Sequence, residues 1–185
     1  SFVLSRRFGL ARGFDVYDDE LGEGAVERSA ADTTTRAVAH LERGGDGPLF
    51  LWVHYFDPHA PYAPPEPYRS QYPDDPYLGE VAAMDASLGR LVEAFERAAP
   101  GETAVIVSAD HGESLGAHGE AQHGHLLYQP AMHVPMAIAG PGVEPGDSEL
   151  PVSIRRIYHT IRDWAGIDAG AACATRRTRS CSARR

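Results

Sequence analysis

Apolar positions recur with helical spacing in three stretches of the chain. Over residues 27–42, Ala30, Thr34, Ala37, Val38 and Leu41 fall on one face, which predicts an amphipathic helix. Over residues 80–98, Val81, Met84, Leu88, Leu91 and Phe95 are spaced 3, 4, 3 and 4 apart, the stripe of a helix that buries one side. Pro100-Gly101 stops it. Ile154, Ile157, Ile161 and Trp164 mark a last helix, with Gly166 at its C-terminal end. Three other apolar runs, residues 49–53, 103–108 and 134–139, are short and continuous. Such runs fit strands buried on both faces, the third entering through Pro135. Strands alternating with helices predict an α/β fold with a largely parallel sheet flanked by helices.

Between these elements two segments break the pattern. Residues 1–24 are loop-like, punctuated by Gly9, Gly13, Gly22 and Gly24. Residues 58–76 hold seven of the 14 prolines together with Tyr62, Tyr68 and Tyr72. Proline at that density excludes regular helix and central strand, so an ordered aromatic surface loop is expected. It would either line a pocket mouth or act as a rigid strap.

Charge changes the picture in one respect. Residues 1–170 carry all 26 acidic residues against 12 Arg, a net charge of −14, while residues 171–185 carry five Arg and no acid. An acidic body argues against nucleic acid as a partner, and an anionic substrate would need local positive charge from His or a bound metal. No apolar run is long enough to cross a bilayer. Cys173 and Cys181 both lie in the basic end and form no CxxC pair.

Candidate chemistry concentrates where two of the expected strands end, the edge at which open α/β sheets bind ligands. The first runs into His54, Asp57 and His59, the second into Asp110, His111 and Glu113, and the following loop adds His118, His123 and His125. Seven of the nine histidines fall between residues 54 and 133. Asp110 and His111, adjacent at a strand end, can turn an oxygen and a nitrogen toward one divalent ion. Equally, Asp110 can cap the next turn while His111 packs against the sheet. The Gly-flanked histidines of the loop are weaker signals.

Leu51-Trp-Val-His-Tyr-Phe-Asp-Pro-His-Ala-Pro-Tyr62 resembles a histidine segment of sulfatases, and Ser108-Ala-Asp-His-Gly-Glu-Ser-Leu-Gly-Ala-His-Gly119 resembles their metal-binding segment. Phe8-Gly-Leu-Ala-Arg-Gly-Phe-Asp-Val-Tyr-Asp-Asp19, Leu127-Tyr128, Val134-Pro135 and Gly140-Pro141-Gly142 extend the likeness to residues 2–167. Several ordered motifs are more specific than any one of them. The resemblance, to the sulfatase branch of the alkaline-phosphatase-like superfamily, implies a partial sandwich of that fold and metal-dependent hydrolysis of sulfate esters. It implies Asp110 and His111 as metal ligands, and His59 and His123 as substrate-contacting catalytic residues. His111 stands where many sulfatases have Asn, and His123 where many have Lys. No comparable role follows for His54, Asp57, His118 or His125.

The same resemblance implies a calcium ion, and a formylglycine made from Cys or Ser in a Cys/Ser-x-Pro-x-Arg segment. No such segment occurs in the 185 residues, and the opening at Ser1 reads like the interior of a longer protein. The expectation is therefore a partial catalytic domain at residues 1–167, lacking its nucleophile segment and inactive alone, with a basic disordered tail at 168–185 of the kind a shifted reading frame produces. The partner implied is a small anionic ester, and the location periplasmic or extracellular. Three alternatives stay open: a phosphodiester or phosphonate hydrolase of the same superfamily using Mn2+ or Zn2+, an inactive truncated remnant, and an unrelated zinc protein built on the His-rich loop.

Overall fold

The computed structural model describes residues 2–22, 24–45, 47–99 and 103–167; Pro100-Gly101 and the expected basic tail with both cysteines lie outside the described residues. Two compact units divide the chain, Ser1–Thr103 and Ala104–Arg185.

The first unit is built on two helices. Helix α1, Ala30–Glu42, begins where the Ser29 hydroxyl accepts the Asp32 N–H, which satisfies one of the donors that a helix start leaves open. The one-turn helix α2 is Tyr68–Gln71. Helix α3, Pro76–Ala98, starts earlier than the apolar stripe alone suggests, because Asp75 caps it and Pro76 fits its first turn. Helices α1 and α3 pack on each other around Leu41, Leu91 and Ala94, with Ala37, Val38, Leu51, Val53, Tyr55 and Phe95 against them. The face of α3 that is buried most deeply is Glu80, Ser87, Leu91 and Ala94, one position around from the stripe of large apolar residues. The small side chain of Ser87 there lets α1 come within hydrogen-bond reach of the α3 backbone. Thr34, fully buried on α1, bonds the Tyr55 hydroxyl at 2.7 Å and the Ser87 carbonyl at 3.2 Å.

Residues 49–53 correct an expectation. They form no strand, and they are buried at alternate positions only. Leu51 and Val53 enter the core while Phe50 and Trp52 remain 57% and 52% exposed. The Phe14 ring lies 6.1 Å from Phe50 and 6.2 Å from Trp52. Alternation of this kind is that of a half-buried strand.

In the second unit, strand β1, Val105–Ser108, pairs with strand β2, Met136–Ala139, in register from Val105↔Ala139 to Ser108↔Met136. The ladder is antiparallel, where alternating strands and helices predict a parallel one. A parallel pair needs a crossover helix. Between these strands stand only the 3-10 turn Ala117–Gly119 and the one-turn helix α4, Gln129–Met132. Helix α5, Arg156–Trp164, ends as expected. Gly166 takes a left-handed φ of 64°, and the N–H groups of Gly166 and Ile167 close back onto Asp163 and Arg162. Among the described residues, no helix is long and apolar enough to cross a membrane.

Candidate functional site

The candidate residues fall in both units, and each group is built by its own unit. In the first, the chain leaves the core at Tyr55 and enters the proline-rich loop. The His59 ring stacks on Phe56 with centroids 4.2 Å apart, and its Nδ1 stands 4.0 Å from the Glu27 carboxylate. Its backbone N–H donates to Glu80 Oε2 at 3.0 Å, and the Ala63 N–H donates to Glu80 Oε1 at 2.6 Å. Glu80 is a buried acid on α3. Burial pushes its carboxyl above the ordinary range, the Ala63 and His59 N–H groups oppose this, and the charges of Asp57 and Glu27 add to it. Burial also raises Asp57, against the pull of backbone N–H groups that include Ala30 at the start of α1.

In the second unit, β1 delivers Asp110 and His111 just past its last residue. The Asp110 carboxylate accepts the His111 N–H at 3.1 Å. His111 Nδ1 lies 2.9 Å from the Gly112 carbonyl. A carbonyl only accepts, so Nδ1 carries the proton in this contact, and in a neutral ring of that tautomer the lone pair is on Nε2. That Nε2 stands 3.8 Å from Asp110 Oδ1. An anionic oxygen and a neutral imidazole nitrogen side by side are a donor pair suited to a divalent cation. They make one side of a metal site: among the described residues, no three His, Cys, Asp or Glu side chains converge on a common point. The His111 side chain is 46% exposed and its ring stacks on His123 at 3.9 Å.

His123 is held from behind. Its Nδ1 lies 3.1 and 3.3 Å from the two carboxylate oxygens of Glu113, whose side chain is only 7% exposed. Glu120, also buried, ties the loop together by accepting from the His125 and Leu126 N–H groups and the Ser114 hydroxyl. The His125 N–H, against the effect of desolvation, keeps the Glu120 carboxyl below its ordinary range, with help from the Leu126 N–H and the Ser114 hydroxyl. An open pocket of about 340 Å3 is lined by Glu120, Gln122, His123 and His125 among others. His118 stacks on Tyr128 at 3.9 Å.

The structure thus brings Asp110, His111 and His123 together in one unit and holds His59 in the other. Sequence reasoning named Glu113 at the strand end but not what it holds, and it missed Glu80 and Glu120. Glu113 and Glu120 sit among glycines with no periodicity to read. Glu80 could have been found, because it follows the helical spacing of Ser87, Leu91 and Ala94 inward.

The chain has a partial α/β fold of the alkaline-phosphatase-like kind. It is similar to a structure of yidJ from Bacteroides fragilis, itself assigned as a sulfatase, with a TM-score of 0.70 and 20% identity, over 77% of this chain and 38% of that one. The family model for Sulfatase matches residues 6–167, and the chain belongs to that family. It is 26% identical over 176 residues to the uncharacterized sulfatase YidJ of Escherichia coli strain K12, covering 73% of this chain and 35% of that protein. Against arylsulfatase K of Danio rerio it is 33% identical over 93 residues, 49% of this chain and 18% of that protein. The chain therefore spans about a third or less of the length of these relatives. The family generally uses a divalent metal ion and a formylglycine.

Proposed function

We propose that this chain is part of the catalytic domain of a metal-dependent sulfate-ester hydrolase, residues 6–167 providing one side of a metal site and the histidines that meet the substrate. The observation that carries the reading is the cluster after β1: Asp110 Oδ1 and His111 Nε2 at 3.8 Å, with His123 stacked on His111 and backed by Glu113. Asp110 and His111 would hold the metal, calcium in this reading. A divalent ion there, with a formylglycine from a segment outside these 185 residues, would supply the positive charge and the nucleophile that the chain lacks.

The chain's own residues do the rest. His123, its Nδ1 held by Glu113, would donate to a peripheral oxygen of the ester. His59 would protonate the departing alkoxide or phenoxide. The substrate in this reading is a small anionic ester, met by these donors in a body that is acidic elsewhere. A periplasmic or extracellular location is part of the proposal, supported by where relatives of this family are often found. Fractionation of cells that express the protein tests it.

The functional test is made on the enzyme that contains this chain, with 4-nitrophenyl sulfate and bis-4-nitrophenyl phosphate compared in calcium, manganese and zinc. Calcium-supported sulfate hydrolysis, lowered about 100-fold or more by Asp110→Ala and by His123→Ala, is the expected result. Diester hydrolysis in manganese or zinc without sulfate turnover would assign the chain to the phosphoesterase branch. No hydrolysis of either substrate by the complete protein would make it an inactive relative.

A further inference from the structure

We propose that Glu80 is a positioning residue that fixes the imidazole of His59 through the backbone of the loop carrying it. The inference rests on the reading of His59 as a substrate-contacting donor. Each oxygen of one buried carboxylate takes a single backbone N–H, Oε2 from His59 and Oε1 from Ala63. A five-residue turn, 59–63, is thereby gathered onto one point of α3. An ionised acid is costly to bury unless its charge is met, and among the described residues no Arg or His pairs with Glu80. Its charge is met by the amides of the functional loop, and charge-assisted bonds of this kind are the strong ones.

The adjoining residue points to the same purpose. Gly79 is buried against Pro64, and a Cβ there would lie 2.8 Å from Pro64 Cγ and 3.0 Å from its Cβ. Absence of a side chain at Gly79 lets α3 come close enough for Glu80 to reach the turn. A structural strap could be anchored anywhere along its length. Here one of the two bonds falls on the N–H of His59 itself, so a displacement of the carboxylate is passed to that residue's Cα. The ring is held in turn against Phe56. An imidazole that must meet one oxygen of a reacting ester tolerates little displacement, since about 1 Å of misplacement can cost about 100-fold in rate.

The first test is spectroscopic and independent of turnover. In the 185-residue chain, Glu80→Gln is isosteric but sets an amide NH2 against one N–H donor. The His59 and Ala63 amide protons and the His59 ring resonances are expected to move together, while the Tyr55 ring in the core stays in place. Amides that move while the ring does not would reduce Glu80 to a strap anchor and overturn the proposal, as would amides that do not move. Should Glu80→Gln fail to fold, Gly79→Ala, which shifts Glu80 without altering its chemistry, must perturb the same signals.

The second test uses the complete enzyme. Glu80→Gln is expected to lower kcat about 10-fold, with KM changed less than about twofold, and to add nothing in a His59→Ala background. A loss from His59→Ala with none from Glu80→Gln, or losses that simply multiply, would overturn the proposal alone. Full activity of His59→Ala would instead overturn the reading of His59, with the ring signals still reporting whether Glu80 sets its position.

Discussion

A methyl group on Gly112 would lie 2.0 Å from the carbonyl oxygen of Pro130, closer than any atom can stand. The residue's own N–H donates to the Ala131 carbonyl at 2.8 Å, so the Asp-His-Gly turn and α4 touch backbone to backbone. Gly112→Ala must force them apart, at a cost of about 1–3 kcal/mol, read as a lower urea midpoint. It should also disturb the His111–His123 stack, because the shift begins one residue from His111. Asp57 makes a second prediction at this scale. Burial raises its carboxyl above the ordinary 3.8, so the folded chain holds that proton more tightly than the unfolded one. Stability from this group is then fully present below the unfolded value and is lost as pH rises through the raised one. Asp18 and Asp19 act in the opposite sense. Against burial, the guanidinium groups of Arg28 and Arg36 hold Asp18 down, and the Arg6 N–H and guanidinium hold Asp19 down. Asp57→Asn isolates the one contribution. Its urea midpoint should gain on the parent chain as pH rises above about 4, and a difference that stays constant with pH would sink the assignment.

At the scale of the element, helix stops were the most legible features, while the starts depended on caps that the apolar spacing does not show. The hydroxyl that caps α1 belongs to a Ser placed just before the first apolar-periodic residue, and the Asp32 side chain returns a contact to it at 2.9 Å. Ser29→Ala should cost about 1 kcal/mol, measured by urea unfolding followed through α-helical circular dichroism. An unchanged midpoint would mean that packing on α3 alone fixes the helix start. The Gly166 stop of α5 was readable, because a left-handed residue there takes glycine at least cost. What periodicity could not give was anything that depends on a neighbour. The apolar run 49–53 has the composition of a strand buried on both faces, yet Phe50 and Trp52 remain largely exposed. Burial depends on what stands opposite, and a run of five residues does not carry that information. The β1–β2 pairing direction follows from the connecting segment, which is rich in turns and lacks a crossover helix. Glu80 lies one position off the stripe of large residues on α3, on the helical spacing of Ser87, Leu91 and Ala94, and what it holds, the His59 and Ala63 N–H groups, depends on the loop folded against it.

For the whole molecule, the site motifs were legible and their completeness was the harder matter. Asp110, His111, His123 and His59 all stand in segments that resemble sulfatases, but the carboxylates behind them emerge only from folding. Each unit supplies ordered donors, while the described residues hold no three-ligand cluster and the sequence holds no Cys/Ser-x-Pro-x-Arg segment. An acidic chain of net charge −9 repels a sulfate ester at long range, so capture must come from local charge that a metal would mostly supply. Two ligands from one strand end bind calcium weakly, because affinity follows the number and charge of the oxygens offered. The purified 185-residue chain should therefore bind calcium no more tightly than roughly the millimolar range, with His111 ring signals moving on titration and Asp110→Ala abolishing the movement. Over the same titration it should release no 4-nitrophenol from 4-nitrophenyl sulfate above the uncatalysed rate. Zinc held tightly after Asp110→Ala and lost with His123→Ala would point instead to a site in the His-rich loop. Metal-dependent sulfate release by the purified chain would mean that these residues hold a nucleophile of their own, and the division of labour proposed for them would have to be redrawn.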